Sequence, residues 1–356
     1  MSTNDNNEMS KNIVFISEGI NAPSSRFRVD PIAERLSKKG WNCQRLYRYG
    51  RIDAQIKNKY LQKGYRACAR IITACQTALI TNADLVFVQR LSWPWSSLPE
   101  QLIAKRGIPV VFDFDDAIFL NGRREKSPAR QQALQDIYQA SSLTIAGNEW
   151  LAKNSTPFTR TEVIPTCIDV EKYSPAVKKK HKNDPVIGWM GTSSNYVELQ
   201  LVVDAIKKLR KNGHQFTFRI VSDLKNDDLI RELDAEFEYW SDEKELEQLQ
   251  SFDIGLMPLR DIDWTKGKCS FKIIQYMAVG VPAVASDVGF NKEVVTDQQD
   301  GLLVSGSRQW YEALSTLLTS ADLREKVGDN ARNTAVQRFS VSNAAEKYDH
   351  LFRELV

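Results

Sequence analysis

The chain has 356 residues, 42% of them apolar and 26% charged, with a net charge of +3. That length exceeds one ordinary domain and suits two, and the composition excludes a disordered, collagen-like or disulfide-rich chain. No window approaches the roughly 18 apolar residues of a membrane-spanning helix, and the polar opening MSTNDNNEMSK has no signal-peptide core, so a cytoplasmic protein is expected.

The first ten residues read as a disordered tail. NIVFISEG (12–19) is a short β-rich run, and SSRFRVDPIAERLSKKG after it fits a helix closed by Gly40. Residues 45–70 follow, with eight basic residues, one acid (Asp53) and interleaved Tyr47, Tyr49, Tyr60 and Tyr65. Such a stretch suits either a solvated helix face or contact with an anionic membrane; no recognition motif for nucleic acid accompanies it. It accounts for much of the charge asymmetry, since residues 1–170 hold 23 Lys and Arg against 16 acids and the remainder 25 against 29.

Strand and helix then alternate. Strands are expected at 83–90, 108–114, 143–147 and 161–165, and helices near 97–106, 129–140 and 148–154. Strands apolar on both faces, alternating with helices, imply a parallel sheet covered on both sides. Residues 174–184 carry two prolines and a basic run, with nothing to bury, and read as a linker. A second series follows: strands at 185–191, 216–222, 253–259, 281–286 and 300–304, helices at 195–212, 243–250 and 271–279, and closing helices from about 307 to 353. The expected architecture is α/β, two tandem Rossmann-like domains at 11–173 and 185–339, with a terminal helix (340–356) packing back on the first. Ligands of such sheets bind at the carboxyl ends of the strands, so the cleft between the domains is the expected site.

Two loops of the second domain suit a phosphate. In GWMGTSSNY, Gly191 precedes Thr192 and Ser193 at a helix start; in GKCSFKIIQYMA, Lys268, Ser270 and Lys272 surround another. Free N–H groups with hydroxyls or lysines beside them favour an anion, and a nucleotide diphosphate is the natural guest. The five cysteines are scattered without a C-x-x-C pair, which points to neither disulfides nor a zinc site.

The segments SSRFRV, GNEWLAKN, VIPTCIDVEKY, SDEKELEQLQSFDIGLMPL, KIIQYMAVGVPAVAS and DGLLV, in that order, resemble the retaining GT-B glycosyltransferases of glycosyltransferase family four. The resemblance spans nearly the whole chain. It implies a sugar transfer from a nucleotide diphosphate donor on the second domain to an acceptor on the first, with no metal or other cofactor. It gives Lys268 and Lys272 the charge of the departing diphosphate, and places Trp240 and Ser241 near the donor base. The family's paired glutamates fall on Gly267 and Gln275, so both acids are replaced; the Gln275 amide can still meet a ribose. The basic segment further suggests a lipid-linked or polysaccharide acceptor of bacterial surface glycan synthesis.

The run VVFDFDDAIF (110–119) brings Asp113, Asp115 and Asp116 together. A D-x-D pair can hold a divalent cation, and the run also resembles the opening of haloacid-dehalogenase-like phosphatases. On the glycosyltransferase reading Asp115 binds acceptor hydroxyls and Asp116 takes the acceptor proton, in place of the histidine many relatives use; His181, His214 and His350 lie elsewhere. Arg26 and Arg28 are expected to face the cleft and hold a phosphate, and Asn148 and Glu149 to meet sugar hydroxyls. A nucleotide-sugar epimerase and a non-catalytic sugar-nucleotide sensor remain as readings of the same architecture.

Overall fold

The computed structural model describes residues 10–50, 52–56, 58–93, 95–120, 125, 127–176 and 184–356. Residues 1–9 of the expected tail, 177–183 of the expected linker, and Arg51 and Lys57 of the basic segment lie outside the described residues. The chain divides into two compact units, Met1–Thr166 with Val341–Val356, and Cys167–Ser340.

The first unit has six parallel strands: β1 (Asn12–Gly19), β2 (Asn42–Tyr49), β3 (Leu85–Gln89), β4 (Val110–Phe114), β5 (Leu143–Ala146) and β6 (Thr161–Val163), ordered β2-β1-β3-β4-β5-β6. Registers such as Phe15↔Phe87 and Val86↔Val110 stack fully buried apolar side chains, the pattern of a sheet covered on both faces. Among the described residues, six helices join the strands: α1 (Asp30–Ser37), α2 (Ile52–Gln55), α3 (Lys59–Ala78), α4 (Leu98–Ala104), α5 (Pro128–Ala140) and α6 (Glu149–Ala152). The helix expected after β1 begins one turn earlier than its apolar pattern, as a π-turn at Ser25–Val29 that buries Phe27 and Arg28. The terminal helix Val341–Arg353 packs on α1, with Trp41 Nε1 donating to Asp349 Oδ1 at 2.6 Å and Lys39 Nζ to Glu346 Oε2 at 2.7 Å.

The basic stretch is not one helix. Its start is β2, an edge strand in which Arg45, Tyr47, Arg48 and Tyr49 flank the single Leu46, and its end is α3. Charge on an edge strand protects it from pairing with other chains.

The second unit repeats the plan with β7 (Val186–Met190), β8 (Thr217–Ser222), β9 (Ala235–Tyr239), β10 (Ile254–Met257), β11 (Ala283–Ser286) and β12 (Leu302–Val304), ordered β12-β11-β10-β7-β8-β9. Its helices are α7 (Tyr196–Leu199), α8 (Val203–Lys211), α9 (Asp227–Leu233), α10 (Glu245–Gln250), α11 (Asp263–Lys266), α12 (Phe271–Ala278), α13 (Asn291–Val294), α14 (Ser307–Thr319) and α15 (Ala321–Arg338). The single helix expected at 195–212 is two. Leu201 and Val202 donate three residues back, to Glu198 and Leu199, which tightens the chain between α7 and α8. The break turns the buried Glu198 carboxylate toward Arg260, which donates to it from its backbone N–H and its guanidinium.

Glycines let aromatic rings reach the centre of this sheet. A Cβ on Gly188 would sit 2.1 Å from the Phe252 ring, and one on Gly255 2.4 Å from Tyr276. Tyr276 then links two strand ends: its hydroxyl accepts from Met190 N–H at 3.2 Å and donates to Leu256 O at 3.3 Å.

The division falls at 166/167, ahead of the expected linker. Cys167–Tyr173 is held by the second unit: Ile168 N–H donates to Phe339 O at 2.8 Å, and Arg332 donates to the Val170 and Tyr173 carbonyls at 2.7 Å each. Among the described residues no helix is long and apolar enough to cross a membrane.

Candidate functional site

In the second unit the carboxyl end of β7 meets the start of α12. A Cβ on Gly191 would lie 2.6 Å from Lys272 Cε and 2.8 Å from the Trp189 indole, so the missing side chain is the space through which Lys272 passes. Its ammonium stands 5.7 Å from the Trp189 ring centroid, within reach of the attraction between a cation and an aromatic face. Lys268 approaches the same loop, donating to Asn195 Oδ1 at 3.0 Å.

The loop itself is pinned. Asn195 Nδ2 donates to Thr192 Oγ1 at 2.8 Å, and the Thr192 and Ser194 hydroxyls lie 2.9 Å apart. Asp223, just past β8, accepts from Ser193 N–H at 2.6 Å and from its hydroxyl at 3.3 Å. This corrects the expectation of a free amide there: a carboxylate already occupies Ser193, and its negative charge opposes a phosphate at that point. Ser270 is corrected as well. It caps α12 in a left-handed conformation (φ 51°), is 1% exposed, and spends its hydroxyl on Asn291 Oδ1 at 2.7 Å. Asn291 in turn donates to Ser286 O at 2.9 Å, so Ser270 shapes the turn from within.

A second set of predicted residues converges on one carboxylate that sequence reading missed. Glu245, 4% exposed at the first turn of α10, accepts from Tyr173 Oη at 2.6 Å, from Trp240 Nε1 at 3.3 Å and from Gln275 Nε2 at 3.3 Å. Trp240 is half-buried, an oriented indole and not core filler; Ser241 beside it is half-buried and its carbonyl accepts from Lys244 N–H. In the run SDEKELEQ several acids look alike. The available signal was the apolar Leu249 four residues on, which shares the inward face of the helix with Glu245.

In the first unit the three aspartates answer to two arginines. Arg28 grips Asp113 through Nε and Nη2, both at 2.7 Å, and its Nη1 donates to Ile164 O at 2.9 Å and Thr166 Oγ1 at 3.3 Å. Both residues are buried, so Arg28 is a structural tie and not the phosphate ligand the sequence suggested. Burial works against the Arg28 charge, and Asp113 outweighs it and keeps the group protonated. Asp113→Ala is expected to cost about 3–5 kcal/mol in urea unfolding, because it strands that charge, whereas the paired change Arg28→Met with Asp113→Leu should cost less.

Arg90, at the end of β3 with φ 61°, meets Asp115 at 3.0 Å, Asp116 at 2.6 Å and Glu18 at 3.4 Å. Burial favours the neutral form of Asp115, but Arg90 and Arg28 overcome it and hold its pKa below the ordinary value. Gln89 Nε2 adds a bond to Asp115 at 3.2 Å. Asn148 is also corrected: it is 1% exposed and caps α6, accepting from Leu151 N–H at 2.8 Å. Glu149 is exposed in the first turn of that helix, and Arg26 is half-buried with its guanidinium 4.8 Å from the Phe27 ring.

Residues 184–320 match the family described as Glycosyl transferases group 1. The second unit is a group 1 glycosyl transferase domain. The chain is 26% identical over 182 residues to a glycogen synthase of Thermodesulfovibrio yellowstonii, a match covering 49% of this chain and 36% of that protein. It is 32% identical over 73 residues to spore coat protein SA of Bacillus subtilis, covering 20% of this chain and 19% of that one. The chain thus spans well under half the length of the curated relatives it matches. Among solved structures, a glycosyltransferase from Rickettsia africae superposes with TM-score 0.74 at 14% identity, covering 97% of this chain and 98% of the other. HepE of Anabaena, in complex with UDP and glucose, gives 0.70 at 16%, covering 97% and 100%. Sucrose-phosphate synthase of Thermosynechococcus elongatus gives 0.69 at 13%, covering 97% and 99%. These superpositions establish the GT-B fold for the chain. Within the transferase domain, Gln275 and the buried Gly267 stand where the resemblance places glutamates, and the carboxylate that Gln275 meets belongs to another helix.

Proposed function

We propose that the chain is a retaining glycosyltransferase that moves a hexosyl group from a nucleotide diphosphate sugar to a glycan or lipid-linked acceptor. The observation that carries this reading is the crossing of Lys272 over Gly191, beside Lys268, inside a group 1 glycosyl transferase domain. Two ammonium groups near the end of β7 suit the two phosphates of a donor whose leaving group gains negative charge as the bond from the anomeric carbon to the diphosphate oxygen breaks. The departing oxygen accepts the acceptor proton on the same face, which preserves the anomeric configuration. In this scheme no metal is required, because the lysines carry the neutralising charge.

The transferase structures of similar fold support a nucleotide donor: HepE is described in complex with UDP-glucose, and Staphylococcus aureus TarM with UDP and alpha-GlcNAc-glycerol. On the donor side we assign Gly191, Thr192, Trp240, Ser241 and Gln275, with Ser193 and Ser270 acting through the turns they shape. On the acceptor side we assign Asp115, Asp116, Arg26 and Glu149. Arg90 fixes the two aspartates as hydrogen-bond acceptors for sugar hydroxyls, and the same pairing makes Asp115 a weak base. The working place is the cytoplasmic face of the membrane, and the reaction serves surface glycan synthesis.

Thermal shift against UDP-, GDP- and ADP-sugars tests the donor. One of the three should raise the melting temperature, with about 2.7 kcal/mol of stabilisation at a hundredfold excess over Kd. Proton NMR of the product anomer then tests retention. No shift with any nucleotide sugar would remove the reading.

A further inference from the structure

The carboxyl edge of the first unit's sheet carries aromatic side chains on both sides of the strand that bears Asp115 and Asp116. On the β3 side the chain runs from Arg90 into Trp93 and Trp95, whose rings meet edge to face with centroids 5.9 Å apart, and Trp95 is 56% exposed. Their loop is pinned. Ser96 N–H donates to Trp93 O at 3.3 Å, and Ser92 N–H to the buried Glu100 carboxylate at 2.9 Å. On the β5 side Trp150, at the start of α6, is half-buried and lies against Phe119 with 5.6 Å between centroids. Phe119 comes three residues after Asp116 in a chain folded tightly on itself, with Ile118 N–H donating to Asp116 O at 2.7 Å and Leu120 N–H to Ala117 O at 2.9 Å. Gln89, at the end of β3, joins the polar set. Its Nε2 donates to Asp115, and its Oε1 is buried with no partner among the described residues, which leaves the set one donor short.

We propose that this edge binds uncharged pyranose rings of an oligosaccharide, stacked on Trp95 and Trp150 with their hydroxyls on Asp115 and Asp116. Its role as the acceptor site rests on the proposed function, while the sugar recognition is read from the edge alone. Indole faces are electrostatically negative and suit the weakly positive C–H faces of a pyranose, and carboxylates accept from its hydroxyls. Charge disfavours an anionic occupant. Arg90 meets Glu18, Asp115 and Asp116, and Glu149 is exposed next to Trp150, so these four acids outnumber Arg90 and Arg26. A phosphate or an acidic sugar would meet repulsion there. Neighbouring strands stand about 4.8 Å apart, which sets β3 and β5 about 10 Å apart across β4 and gives room for more than one ring.

The test is saturation-transfer NMR of the full chain, without donor, against maltotetraose, cellotetraose, chitotetraose and the acidic tetragalacturonate. At least one neutral tetrasaccharide should bind, and tetragalacturonate should bind more weakly. Trp95→Ala and Trp150→Ala should each weaken the neutral sugar about tenfold. Trp95→Phe and Trp150→Phe keep a ring at each place and should lose less, and the melting temperature of the Trp95 variants should not move because that side chain is exposed. Thermal shift with nucleotide sugars on the same protein keeps the two readings apart. Donor binding with no tetrasaccharide bound overturns the sugar edge and leaves the donor chemistry standing; a bound tetrasaccharide with no nucleotide sugar bound supports the sugar edge and removes its role as acceptor site. Unchanged binding in both alanine variants, preference for tetragalacturonate, or a dimer that Trp95→Ala dissolves would each overturn the proposal.

Discussion

Lys272→Ala is expected to lower sugar transfer by about a hundredfold to a thousandfold, the range found when one preorganised charge contact to a developing anion is removed. The melting temperature should hardly move, because Lys272 is half-exposed and leaves its neighbours packed. A second substitution reaches the same lysine without touching its charge. Gly191→Ala places a methyl group 2.6 Å from Lys272 Cε and 2.8 Å from the Trp189 indole, closer than side chains pack, so the ammonium must leave its path. Its effect should fall on kcat more than on KM, since the donor still finds its other contacts. Lys272→Arg should not restore full rate, because a planar guanidinium is broader than the passage over Gly191. Lys268→Ala should be milder, as Lys268 is tethered to Asn195 and acts partly by holding the loop. Initial rates with saturating donor, measured beside melting curves, check all four. Full turnover in both Lys272→Ala and Gly191→Ala would exclude Lys272 from the chemistry.

The sheets were legible in the sequence because their strands are apolar on both faces. Runs such as NIVFIS and VVFDF leave a chain few options besides a covered parallel sheet. Strands β2 and β9 escaped for the converse reason: both are edge strands, and NCQRLYRY and AEFEY lack the apolar run of a strand covered on both faces. Helix α3 escaped because the rule that apolar stripes face inward fails there: Leu61, Ile71 and Ile72 are exposed, while Thr73 and Thr77 are buried. Site residues were legible as to type and less so as to direction. Arg26 and Arg28 are two positions apart and chemically identical, yet the π-turn buries one and leaves the other half-exposed. Asp115 and Asp116 were visible as acids, but Arg90, which pairs with both, follows another strand and is brought there by the pairing of β3 with β4. Glu245 was hidden among acids, because long-range burial and not local pattern distinguishes it.

The carboxylate of Glu245 also explains why position 275 is an amide. Gln275 Nε2 lies 3.3 Å from Glu245 Oε1, and both residues are buried. With Gln275→Glu an oxygen replaces that donor, and two carboxylates would share a site that also holds Tyr173 and Trp240 as donors. Two such groups cannot both ionise cheaply, so one pKa rises above its unfolded value. The variant should therefore be less stable than the native chain by about 3 kcal/mol at pH 7. The sign of its pH dependence follows from linkage: the folded variant binds a proton that the unfolded chain has released near pH 4.3, so its deficit shrinks as pH falls from 7 toward 5. Exchanging the two residues, Glu245→Gln with Gln275→Glu, restores one acid and one amide and should recover most of the stability. If Gln275 meets the ribose of the donor, as the proposed function holds, the exchanged protein should also bind the nucleotide sugar more tightly, because an ionised acceptor makes the stronger bond to a hydroxyl. Urea unfolding at pH 5 and pH 7, with donor titration of the exchanged protein, separates the two effects. A Gln275→Glu variant as stable as the native chain at pH 7 would show that the Gln275 amide is not needed beside Glu245.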